Sequence, residues 1–83
     1  MAFIPENEVE WPESYEVSAQ EQFSTETAAE AQAVAWEADI DTNEAPEGFK
    51  DKVVRYAKLV GEVIVYVVTW IRYQLLAPRA ATA

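Results

Sequence analysis

The stretch "KLVGEVIVYVVTWIRYQLLAP", Lys58 to Pro78, decides how the fold is read. It is the one strongly apolar run in a chain of 83 residues. Residues 59–77 match the length of about 20 needed to cross a hydrocarbon core as a helix. Glu62 stands near its start and Arg72 near its end. Lys58 and Arg72 sit where they can snorkel outward, and an i,i+4 pair between Lys58 and Glu62 would soften the cost of the carboxylate. Tyr56 lies at one edge, with Trp70 and Tyr73 at the other. Those aromatics are about 21–26 Å apart along a helix, which fits two interfacial belts.

Two other conformations compete for this run. Val53, Ala57, Val60, Ile64, Val67, Ile71 and Gln74 follow 4-3 spacing, as one face of a soluble helical assembly would. Its Val and Ile content suits a β-strand, but one strand makes no sheet. The expectation is therefore an all-α chain with a single transmembrane helix. Tyr56, Lys58, Trp70, Arg72 and Tyr73 form its membrane interface, and Glu62 is its intramembrane polar group.

Working outward, a long helix is expected over 46–77, with the span at 59–77 and a tail at 78–83. Pro46 suits its first turn, Thr42 or Asn43 its cap, and Pro78 its end. Gly48 and Gly61 only weaken it. Residues 40–45 are a linker. Residues 18–39 read as an Ala-rich helix of weak amphipathicity, with Ser18 and Glu21 as a capping box. Residues 1–17 hold Pro5 and Pro12 and read as an extended acidic arm. Phe3, Ile4, Trp11 and Tyr15 in that arm, with Phe23 and Trp36 in the helix, are too few for a private core and are expected to anchor on a partner.

Charge is divided unevenly. Residues 1–49 carry 13 of the 15 acidic groups and none of the six Lys and Arg, so the net −9 is −13 plus +4. That acidity argues against nucleic-acid binding. Four basic residues precede the span closely, so the positive-inside rule places the N-terminus in the cytoplasm. The first residues have neither a basic n-region nor an apolar h-region, so no cleaved signal is expected.

Reaction chemistry is not written in the chain. It has no histidine and no cysteine, which removes the commonest general base, metal ligand and thiol nucleophile. Asp39, Asp41 and Asn43 alternate as in a calcium loop, but Glu44 stands where the glycine belongs and Lys50 where the last acid belongs. No cofactor, metal or small-molecule substrate is expected. The functional expectation is a non-catalytic, single-pass accessory subunit of a larger membrane complex, by analogy photosynthetic or respiratory, with larger membrane subunits and the bilayer as partners. A self-assembling coat-type subunit and a small regulatory membrane peptide are the alternatives.

Overall fold

The computed structural model describes residues 3–75. The apolar run is not a helix. It holds most of a long β-hairpin, formed by β3 (Phe49–Val60) and β4 (Val63–Gln74). Gly61 and Glu62 make a two-residue loop, with Val60 paired to Val63. Gly61 takes φ +64° while Glu62 keeps a negative φ. A positive φ at the first loop position only is the pattern of a type II′ turn, whose twist matches that of the flanking strands. In β4, all residues but Arg72 and Gln74 are β-branched or aromatic, so local preference and turn chemistry agree.

The first two strands are β1 (Ile4–Pro5) and β2 (Tyr15–Phe23), separated by a 3-10 turn at Glu6–Glu8. The helix α1 spans Glu26–Thr42. The sheet order is β1-β3-β4-β2, with β1 parallel to β3 and the other neighbours antiparallel. Thus β2, α1 and β3 form a β-α-β crossover that skips one position, and β4 fills the gap. A register irregularity between Val17 and Ala19 leaves Ser18 as an extra residue in β2.

Cross-strand partners share a face. One face carries Asp51, Val53, Arg55 and Ala57 of β3 with Arg72, Trp70, Val68 and Tyr66 of β4. Helix α1 lies on it through Ala29 and Ala33, whose small side chains let helix and sheet approach closely. Phe3 closes this core, edge-on to Tyr66 at 5.6 Å. The other face carries Tyr56, Val67, Thr69 and Ile71, all buried. The arm crosses there: Trp11 meets Tyr56 edge-on at 5.7 Å and stacks on Tyr15 at 5.2 Å. The central hairpin is therefore covered on both sides.

Double coverage explains the misleading sequence signal. A strand buried on both faces loses its polar alternation and reads as a continuous apolar run. The expected all-α fold, the helix over 46–77 and the transmembrane span are accordingly overturned. No helix among the described residues is long and apolar enough to cross a membrane, so the single-pass placement and the cytoplasmic N-terminus that rested on it fall too. The tail at 78–83 and the last residues of the expected span lie outside the described residues.

The expected helix over 18–39 is displaced. Ser18 and Glu21 belong to β2, not to a capping box. Thr25 is the N-cap, its hydroxyl accepting from the Ala28 N–H at 3.2 Å. At the other end Asn43 is the C-cap, its backbone N–H donating to the Asp39 carbonyl at 2.9 Å. Asp39 and Asp41 are thus part of the helix. Pro46, Glu47, Gly48 and Phe49 form a turn, closed by the Phe49 N–H on the Pro46 carbonyl at 3.0 Å. Gly48 at φ +88° occupies the third position, where a type II turn calls for glycine.

Candidate interaction surface

Two ionic clusters fix the platform on which the surface stands. Arg55 rises from β3 between Glu30 and Glu37, two helical turns apart on α1. Its Nε and Nη2 donate to Glu30 at 2.8 and 3.1 Å, and its Nη1 and Nη2 donate to Glu37 at 2.7 and 2.9 Å. The hydrogen bond from Arg55 holds the Glu37 carboxyl below its ordinary range, against a smaller opposing effect of burial. Glu37, which the helix dipole alone disfavours near a C-terminus, is explained by this clamp. The two carboxylates in turn hold the guanidinium in its charged form.

The second cluster joins cross-strand partners. Arg72 grips the buried Asp51 through Nε at 2.8 Å and Nη2 at 3.1 Å. That bond is the largest cause lowering the Asp51 carboxyl, and burial opposes it. The Trp70 N–H lowers it further at longer range, although Nε1 is buried and completes no hydrogen bond among the described residues. Gln32 links α1 to β2. With its amide nitrogen turned to Glu21 at 3.1 Å, its oxygen accepts from Trp36 Nε1 at 2.8 Å.

The residues expected to anchor a partner are placed mainly within the chain's own packing. Phe3 is in the core, with Phe23 and Trp36 packed against it, and Trp36 lies 6.0 Å from Trp70. Trp11 covers Tyr56. Ile4 in β1 and Tyr15 in β2 remain exposed. The residues expected at a membrane interface are scattered. Tyr56 lies under the arm, where burial raises its phenol above the ordinary value. Trp70 sits beside α1, Arg72 holds Asp51, and Tyr73 lies under the Lys52 ammonium at 5.5 Å. Lys58 sits opposite Val65, so the expected Lys58–Glu62 pair does not form.

Beyond this platform the hairpin runs on alone. On the β4 side, pairing with β2 stops at Tyr66; on the β3 side, β1 reaches only Tyr56 and Ala57. Residues 58–65 therefore form a two-stranded tip with no strand paired on either outer edge, the Glu6–Glu8 turn lying against β3 where β1 ends. Leu59 is 67% exposed, Val63 60%, Ile64 52% and Val60 49%. These four large apolar side chains occupy both faces of the tip, with Leu59 and Ile64 on the α1 side and Val60 and Val63 on the other. Where β1 leaves the sheet, an open groove of about 640 Å³ lies between the arm and the hairpin; its walls include Phe3, Ile4, Ala57, Leu59 and Ile64. Glu62 is exposed at the apex and Lys58 borders the groove.

Reading the chain as helical hid this tip. The sequence signal for it was present: Gly61-Glu62 between two long β-branched runs is a two-residue hairpin loop. Chemically the tip offers apolar contact area, strand edges and one charge of each sign. Among the described residues, no group of three or more His, Cys, Asp or Glu gathers as a metal site. Comparison with protein families, curated proteins and solved structures finds no match.

Proposed function

We propose that this chain is a non-catalytic assembly subunit that docks on protein through the β3–β4 tip. The observation carrying this reading is the exposure of Leu59, Val60, Val63 and Ile64 together at one end of the molecule. Contiguous exposed apolar patches mark interaction sites more often than isolated apolar residues do. The tip's edges favour protein over lipid. The outward-facing backbone N–H and C=O groups along residues 58–60 and 63–65 have no strand partner, and hydrocarbon offers them no hydrogen bonds. Another strand does, by edge addition. The expected role as an accessory subunit is kept in this form, without the membrane span.

The test exploits the absence of cysteine. Glu62→Cys in the full chain is labelled with a photo-crosslinker and irradiated in cells of its source. A discrete protein adduct, lost when Leu59→Ser is added while the circular dichroism spectrum and Tm persist, is the expected result. Adducts to lipid alone, or adducts indifferent to Leu59→Ser, would refute the proposal.

A further inference from the structure

We infer that the partner docked at the tip is a cationic protein segment. Its aliphatic side chains sit in the groove beside β1, and its Lys or Arg side chains meet the acidic arm. The inference rests on the docking role proposed above and names the chemistry of the occupant. Ile4, Ala57, Leu59 and Ile64 give the groove apolar walls, and Glu6 and Lys58 line it as well. At about 640 Å³ it has room for several aliphatic side chains, and it is open to solvent as a protein docking surface is, not enclosed as a small-molecule cavity is.

Charge selects among apolar partners. Within the groove, Lys58 offsets Glu6. Glu8 and Glu10 continue the same arm; both are exposed, and neither forms an ion pair among the described residues. On α1, the exposed Glu26 lies one turn before the Glu30 that Arg55 holds, at the end of the helix nearer the tip. Acids therefore stand on both the arm and the helix at this end of the molecule.

A second copy does not supply what these acids lack. Of the cations among the described residues, Arg55 and Arg72 are held in ion pairs, and Lys52 lies over Tyr73. Lys50 stands at the far end of β3, which leaves Lys58 alone near the tip. A copy would also bring a further charge of −9. Anionic lipid and nucleic acid are repelled for the same reason. A segment with its own Lys or Arg beside aliphatic residues satisfies the apolar walls and the acidic arm together. Its binding loosens as salt is added, because exposed charges are screened beyond about 8 Å at physiological ionic strength.

NMR titration of the full, nitrogen-15-labelled chain with three short synthetic peptides tests this. The first is built of leucine, lysine and serine. The second has glutamate for each lysine, and the third has serine for each leucine. The first should bind at least about tenfold more tightly than either of the others, with shifts centred on Ile4, Leu59 and Ile64. Its affinity should fall between about 0.05 and 0.5 M NaCl. Leu59→Ser, and Ile64→Thr as a second variant, should each weaken it at least about fivefold with Tm unchanged. Glu6→Gln/Glu8→Gln should weaken it at least about threefold. Glu44→Gln/Glu47→Gln removes the same charge about 30 Å away at ~3.3 Å per residue along β3, and should change it by less than about 1.5-fold.

Equal losses from the two glutamine pairs overturn the inference, as does a serine peptide that binds as tightly as the leucine one, because net charge alone would then account for binding. A glutamate peptide as tight as the lysine one overturns it too, and leaves an uncharged apolar partner or a second copy. Should the lysine peptide fail to bind while Leu59→Ser still abolishes the Glu62→Cys adduct, the cationic partner falls and the docking role stands without it.

Discussion

Arg72 lies directly across the β3–β4 ladder from Asp51 and closes a two-pronged hydrogen bond on a carboxylate whose side chain is 1% exposed. The arginine itself reaches solvent, so it brings charge to the buried acid at little desolvation cost of its own. Arg72→Met would strand that carboxylate, and breaking one side of a buried pair costs more than replacing both sides. Tm of Arg72→Met should fall well below that of Asp51→Val/Arg72→Met. Equal melting of the single and double variants would refute the coupling.

The clamp on α1 gives a second test. Arg55→Met should destabilise by about 1–2 kcal/mol, the low end for charged hydrogen bonds because Glu30 and Glu37 are partly exposed. Arg55→Lys should recover less than half, since an ammonium cannot grip two carboxylates with a planar fork. Urea denaturation reads both, and full rescue by lysine would show that geometry does not matter here.

Acid dependence follows from Asp51 and Glu37. Both carboxyls are held below their ordinary range in the folded chain, so in acid the unfolded chain binds more protons. Their contribution is present above the ordinary carboxylate range, near pH 4, and is lost as pH falls through their depressed values. Stability should hold between pH 7 and about 4.5 and fall below about pH 4. A monotonic decline from pH 7 would contradict this dependence.

Gly61 permits a test by chirality. Nothing lies within 4 Å of an added Cβ, so only the backbone responds. At φ +64°, L-alanine should cost about 1–2 kcal/mol, whereas D-alanine, introduced by chemical ligation, should be neutral or stabilising by up to about 1 kcal/mol. Thermal melts that rank the L form above the D form would exclude the turn described.

Packing beneath the arm is tested at Ile71, which is fully buried on the face that Trp11 crosses. Ile71→Ala should cost about 2–5 kcal/mol. Trp11→Ala should uncover Tyr56 and shift its titration downward, towards that of an ordinary phenol, in a spectrophotometric alkaline titration. An unmoved Tyr56 would place the burial elsewhere.

Some of this architecture was legible in the residues. The alanines of α1 gave a helix, although Ser18 and Glu21 imitated a start that Thr25 provides. Pro5 and Pro12 pointed to an extended arm over residues 1–17, within which Glu6–Glu8 forms a 3-10 turn and Tyr15 opens β2. The central error came from counting apolar length over residues 59–77 while treating Gly61 as a weak helix residue. With both faces of β4 covered, no alternation remained to oppose that count. The tip could be read from Gly61-Glu62, but its exposure could not. Exposure depends on where β1 and β2 stop, and that is set by register rather than by local composition.

The skipped position in the β-α-β crossover has a consequence for how the chain reaches this state. Apart from the two-residue contact with β1, β2 and β3 have no neighbour but β4, which follows both in sequence. A chain truncated before Val63 would hold a helix and two long strands with no ladder between the strands, only their contacts with α1. The local hairpin can zip within microseconds, whereas seating β2 must close a loop of more than 40 residues and is the slower step. Truncation should therefore yield no partial sheet, and intact chains should pass through a hairpin-first intermediate order, with β2 and the helix docking together.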